Sequence, residues 1–165
     1  MTGDEIAIEA AAADDAGVLT EISRRAFDHD INYGAPCPGG PPGYDSADWQ
    51  RGAMRQGRYF KVLEQGRIVG GFVLFPLPDG SVEFGRAFIE PEFQNQGIGG
   101  ELLAFAEGVF PEAERFVLDT PEWNLRTRHF YEKAGYEKIG EVETDAGFPL
   151  IQYEKRIASS SSDAR

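Results

Sequence analysis

The sequence predicts an α/β domain: a mixed, mostly antiparallel sheet of six to seven strands flanked by about four helices. Three observations lead there. Apolar residues recur every second position through residues 59–89, the mark of successive strands. They recur at helical spacing near residues 19–27 and 98–109. After residue 89 helices and strands alternate, as in a layered α/β architecture. A chain of 165 residues suits one domain with a real core. That domain is placed at 1–157, and the small polar run 158–165, with four serines, reads as a disordered tail.

Taken in order, Ile6-Ala7-Ile8-Glu9-Ala10 alternates as a first strand. Asp14 or Asp15 can cap the helix behind it, whose Leu19, Ile22, Ala26 and Phe27 share a face. Residues 31–45 hold four prolines and four glycines around Cys37, a density that leaves no regular element. Such long irregular loops commonly wall a site. A shorter helix follows over 47–55. Strands 59–64 and 67–75 form a hairpin about Gln65-Gly66, and Pro78-Asp79-Gly80 turns the chain into a third strand, 81–89. Simple alternation puts Val82, Phe84 and Phe88 on one face of it and Glu83, Gly85, Ala87 and Ile89 on the other. Glu83 would then face a groove kept open by Gly85 and Ala87, and Arg86 interrupts the apolar face. The helix over 97–110 buries Ile98, Leu102, Phe105, Ala106 and Val109 and stops at Pro111. A brief apolar strand at 115–119 belongs in the sheet centre. The last helix covers 124–134 and ends at Gly135. Strands 136–143 and 148–157, joined through Asp145-Ala146-Gly147, complete what reads as a single α/β layer.

Charge and composition narrow the function. Sixteen basic against 28 acidic side chains give a net charge of -12, and no dense Lys/Arg run is present, so nucleic acid is not expected as a partner. A negative field favours a cationic amine, although solubility alone is the plainer reading. A single cysteine forms no disulfide framework and makes a cytoplasmic location the default. No apolar run approaches the ~18 residues of a membrane span, and the acidic first nine residues lack a signal-peptide core. Two histidines and one cysteine make no convincing metal site. Cys37 has no histidine nearby and reads as a plain loop cysteine. His29, between aspartates, is a distant second choice for a base. His129, with Arg126 and Arg128, belongs to a charged helix face.

The stretch from Phe88 to Leu103 organises the rest. An apolar strand meets Pro91, then a polar turn, then Gly97, Gly99 and Gly100 at the mouth of a helix. Without Cβ atoms these positions let several main-chain N–H groups approach one ligand. The helix adds unpaired amides and the positive end of its dipole, so the site suits a phosphate or pyrophosphate.

Here the sequence resembles the GCN5-related N-acetyltransferase (GNAT) family. Gln94-Asn95-Gln96-Gly97-Ile98-Gly99 matches that family's Gln/Arg-x-x-Gly-x-Gly/Ala signature, and Phe88-Ile89-Glu90-Pro91-Glu92-Phe93 resembles its approach. A second match is Asn124 followed by Phe130-Tyr131-Glu132-Lys133-Ala134-Gly135-Tyr136. The element order agrees over nearly the whole chain. The resemblance implies transfer of an acetyl group from acetyl-CoA to a primary amine of a small molecule or peptide, by direct attack in a ternary complex and with no metal. It implies that the amides of about Gln96, Gly97, Ile98, Gly99 and Gly100 hold the pyrophosphate, with Gln94 and Asn95 also at the cofactor. Phe88 and Ile89 would pair their main chain with the pantetheine arm, and Asn124 would contact that arm from the other side. Tyr131 falls at the position often assigned as the general acid near the sulfur. A homodimer is an expectation at the family level. Glu101 departs from the small or basic residue many members carry there, and is expected to point outward.

An amine titrating near ~10.4 must lose a proton before it attacks, and Glu83 is the candidate base; an ordinary exposed strand carboxylate, or an ion pair in the neighbourhood of Arg86, is the equally weighted alternative. A phenol near ~10 can protonate a thiolate nearer ~8.5, which suits Tyr131. Asp30, Tyr33, Tyr44 and Asp45, in or beside the irregular loop, are candidates for holding a cationic acceptor. The competing function is a non-catalytic acyl-CoA-binding or sensing module. A dinucleotide-binding oxidoreductase fits poorly, because the third glycine of that fingerprint is missing and the motif follows an antiparallel meander.

Overall fold

Gln65 and Gly66 both take positive φ, 53° and 81°. That is the backbone of a two-residue turn whose twist matches paired strands, and it joins β2 (Arg58–Glu64) to β3 (Arg67–Pro76). The computed structural model describes residues 6–157, so the expected polar tail at 158–165 lies outside the described residues. β1 (Ile6–Ala10) pairs antiparallel with β2, and β4 (Val82–Ile89) pairs antiparallel with β3. Helices α1 (Ala16–Asp28) and α2 (Ala47–Gln56) lie between β1 and β2 in the chain. α3 (Ile98–Val109) follows β4, then come β5 (Arg115–Pro121), α4 (Leu125–Lys133), β6 (Glu137–Val142) and β7 (Leu150–Arg156). The seven strands run in the order β1-β2-β3-β4-β5-β7-β6, with β4 and β5 parallel and every other pair antiparallel. This is the predicted fold class. Among the described residues no helix is long and apolar enough to cross a membrane.

Helices cover both faces of the sheet, so the expected single layer is corrected to a sheet between two apolar cores. The larger core lies under α3. Phe60, Phe72 and Phe84 stack across three strands at centroid distances of 5.3 and 5.7 Å, and Phe105 meets Phe60 edge-on at 5.0 Å. Phenylalanines packed this way add attraction beyond the area they bury. The second core lies under α1 and α2 and holds Leu19, Ile22, Ala26, Ala53, Tyr59, Val73 and Phe88. The loop expected to be wholly irregular keeps one regular piece, a 3-10 turn over His29–Tyr33.

Phe88 therefore does not share a face with Val82 and Phe84. Val73 lies opposite Arg86 and Leu74 opposite Phe84, which leaves Gly85 without a partner. Gly85 is a β-bulge, and one extra residue reverses the alternation beyond it. Val82, Phe84, Ala87 and Ile89 face the α3 core, whereas Glu83, Arg86 and Phe88 face the α1/α2 side. Only glycine fits the bulge, because a Cβ there would come within 2.4 Å of the Phe75 ring.

The end of β4 is tied to α1. Arg25 donates to both carboxylate oxygens of the buried Glu90, from Nε at 3.0 Å and from Nη2 at 2.6 Å. Glu90→Ala strands that guanidinium and frees the strand end. Calorimetry should show a loss of about 1–2 kcal/mol.

Candidate active site

The sheet opens between its two parallel strands. β4 and β5 pair only at Val82–Phe116 and Glu83–Val117; beyond these, β5 continues along β7 and β4 along β3. The peptide groups of an antiparallel strand point alternately to its two neighbours. Glu90 N–H donates to Val69 O, so Phe88, opposite Gly71, also turns its main chain toward β3. Ala87 and Ile89 turn theirs toward the opening. This corrects the expected role of Phe88: its main chain is taken up by the ladder and its side chain by the α1/α2 core. Ala87, which the sequence reading passed over, is one of the residues whose main chain faces the opening.

At the wide end of this gap stands the N-terminus of α3. Asn95 and Gly97 both adopt left-handed backbone conformations, φ 64° and 85°, with Gly97 the helix N-cap. Alternating left-handed residues turn successive N–H groups into one concavity, a nest suited to an anion. The amides of residues 95–100 have no main-chain acceptor in any turn or loop, and those of 97–100 are the ones a helix leaves free at its start. The glycines divide the work. Gly97 supplies the positive φ. Gly99 lets α3 approach α4, since a Cβ there would lie 2.9 Å from the Phe130 ring. Gly100 is exposed and has nothing within 4 Å of where a Cβ would sit, so neither packing nor backbone calls for glycine there. Glu101 is exposed, as expected.

Side chains from three elements close the other side. Asn124 is buried and caps α4, its Oδ1 accepting from Thr127 N–H at 3.1 Å. Its amide nitrogen makes no hydrogen bond within the described residues and stays available as a donor. Gln94 Nε2 donates to Ile89 O at 2.9 Å, and its Oε1 accepts from Arg126 Nη1 at 3.0 Å. The same guanidinium lies over the Tyr33 ring at 3.7 Å and approaches Asp30 Oδ1 at 3.5 Å. Gln94 is thus a strap between β4 and α4. Burial pushes the Asp30 carboxyl up to about 6 although Arg126 and His29 pull it down.

Tyr131 packs edge-on against Phe130 at 5.1 Å and Tyr136 at 5.5 Å. Its hydroxyl makes no hydrogen bond among the described residues, and burial pushes its pKa up to about 12. Glu83 is half-buried and lines a hollow of about 240 Å³ with Val117, Asp119, Ile139 and Gln152. Burial, and then the charge of Asp119, raise its carboxyl above the ordinary range, while Arg86 draws it back. The hollow differs from the groove foreseen beside Gly85 and Ala87, because the bulge moves Ala87 to the opposite face.

Of the four residues foreseen for holding a cation, three have partners within the protein. Asp30 faces Arg126, and Tyr33 lies beneath the same guanidinium. The Tyr44 hydroxyl donates to Asp28 at 2.9 Å, and Asp45 is exposed. Arg126 was read as surface charge; no local pattern marks its part, because Asp30 stands 96 positions away.

A family model described as acetyltransferase (GNAT) family matches residues 22–136. Solved structures agree in fold. The PaiA N-acetyltransferase of Thermoplasma acidophilum, in complex with coenzyme A, superposes with a TM-score of 0.75 at 18% identity, covering 93% of this chain and 99% of that one. The ribosomal-protein-S18-alanine N-acetyltransferase of Escherichia coli gives 0.73 at 16%, covering 93% and 94%. A spermidine N-acetyltransferase chimera from Vibrio cholerae and hSSAT gives 0.72 at 18%, covering 97% and 99%.

Proposed function

The chain belongs to the acetyltransferase (GNAT) family, and from that footing we propose that it moves an acetyl group from acetyl-CoA to a primary amine by direct attack in a ternary complex. The observation that carries this reading is the nest of unpaired amides over residues 95–100, at the wide end of a gap whose wall also presents the main chain of Ala87 and the N–H of Ile89. The amides meet the diphosphate of the coenzyme, and Gly100 leaves room for it. Ala87, Ile89 and the Asn124 amide nitrogen border the arm that leads inward.

The chemistry divides between two side chains. Glu83 takes the proton of the incoming ammonium, directly or through water. The amine nitrogen then bonds to the acetyl carbon, the carbon–sulfur bond breaks, and Tyr131 gives its proton to the departing sulfur. The second proton shed by the acylated nitrogen returns to the phenolate through solvent. The raised pKa of Glu83 favours proton uptake, and the pKa of about 12 keeps the Tyr131 phenol charged with its proton. Folds of this kind serve acceptors as different as a protein's alanine and spermidine in the relatives named above, so the fold does not choose the amine.

A thiol-release screen of acetyl-CoA against an amine library tests the reading. Tight coenzyme binding without release of thiol with any amine would make the chain an acyl-CoA-sensing module instead. With the first active acceptor, Glu83→Gln should lower kcat/KM by about 10²-fold. In the parent enzyme kcat/KM rises with pH as Glu83 loses its proton, around a midpoint above the ordinary glutamate value of 4.5. That acid limb should disappear in the variant. An unchanged limb would assign the proton transfer to another group.

A further inference from the structure

Arg86 is the charged group the proposed chemistry leaves unused. It lies half-buried on β4, on the face the bulge gives it in common with Glu83. Its guanidinium rests on the Trp49 ring of α2, 3.9 Å from the centroid. Nη2 donates to the carbonyl of Pro42 at 2.6 Å, whereas Nη1 is enclosed and has no acceptor. No carboxylate pairs with it within the described residues, in a protein carrying 28 acidic side chains. Glu83 acts on it only through its field and no carboxylate meets its donors, and a desolvated guanidinium with an unmet N–H is costly to keep. Its two parallel donors match the two oxygens of a carboxylate, and a single peptide carbonyl satisfies only one of them.

We infer that Arg86 is the binding site for a carboxylate on the acceptor, and that the substrate is an amine also bearing a carboxylate, of the amino-acid type. The inference rests on the acetyltransferase reading above. The acceptor lies along one face of β4 with its amine toward Glu83 and its carboxylate in the fork of Arg86. Pro42 O occupies one arm of that fork in the free protein and yields to the substrate, so the loop over residues 31–45 refits when the acceptor enters. Trp49 holds the guanidinium flat and in place. A cationic amine without an anion would leave Nη1 unpaired, which sets the specificity.

The test pairs amino acids with the amines that lack their carboxylate, such as phenylalanine with phenethylamine, in the thiol-release assay. The protein should favour the carboxylated member by about 10²-fold or more in kcat/KM, mostly through KM. Arg86→Gln should bring that ratio near one, and Arg86→Lys, which keeps the charge but not the fork, should retain part of it. Coenzyme titration of both variants checks that they fold. A parent enzyme that prefers the plain amines, or an Arg86→Gln variant that keeps the ratio, overturns the inference. If neither series releases thiol, the acetyltransferase reading fails, and binding decides the inference separately. N-Acetylphenylalanine should then bind the coenzyme-loaded parent protein and not Arg86→Gln; equal binding to both, or to neither, refutes it.

Discussion

Tyr131→Phe lowers kcat by about 10²- to 10⁴-fold and leaves the affinity for acetyl-CoA nearly unchanged. The loss is confined to kcat because the phenol's oxygen is the only group removed, and it bonds to nothing else among the described residues. The ring contacts with Phe130 and Tyr136 survive the change, so the melting temperature moves little. A departing thiolate in water titrates near ~8.5 and could take its proton from solvent. Between α4 and the sheet, where burial holds the phenol near 12, the same desolvation makes the thiolate more basic. The alkaline side of the pH profile should therefore show no fall from Tyr131 in the ordinary working range, since the group keeps its proton until about 12. Steady-state kinetics beside a coenzyme titration separate the outcomes. A Tyr131→Phe variant that changes only KM would make the residue part of the packing.

Gly100→Glu weakens coenzyme A binding by about 10²-fold or more. A carboxylate beside the free amides would sit close to the diphosphate, and two like charges about 4 Å apart near a protein surface repel by about 4 kcal/mol. The informative companion is Gly100→Ala. A Cβ there meets nothing within 4 Å, and alanine stabilises an unstrained helical position by about 0.4–1 kcal/mol over glycine. Gly100→Ala should raise the melting temperature of the free protein by a few degrees and still loosen the coenzyme. Opposite signs for stability and affinity are what a ligand-facing glycine produces. If the alanine variant gains stability and loses no affinity, the diphosphate lies elsewhere.

Local chemistry made much of this legible in advance. The turn at Gln65-Gly66, the cap at Asn124 and the left-handed stop at Gly135 each depend on neighbours in the chain, and the structure has all three. The helix mouth at Gly97 was readable for the same reason. The facing of β4 was not, because one extra residue at Gly85 reverses the alternation, and the Phe75 ring that bars a side chain there lies across the strand pair. That choice moved Phe88 and Ala87 to unexpected faces and put Glu83 beside Arg86. The partner of Asp30 was not legible either: in sequence it is an acid next to a loop, and only the fold brings Arg126 to it. The clustering of the glycines concealed their different duties at Gly97, Gly99 and Gly100.

The two-rung junction between β4 and β5 has a further consequence, for how the molecule comes apart. The strands of the meander β1–β4 bond among themselves, as do those of the β5–β7–β6 arm, and across the junction only two rungs and the shared core under α3 join them. Amide exchange should divide the sheet along that seam, with protection in the meander outlasting that of the arm. A molecule wedged in the seam would act as mortar: hydrogen exchange on both sides should slow together once acetyl-CoA is added, merging two melting units into one.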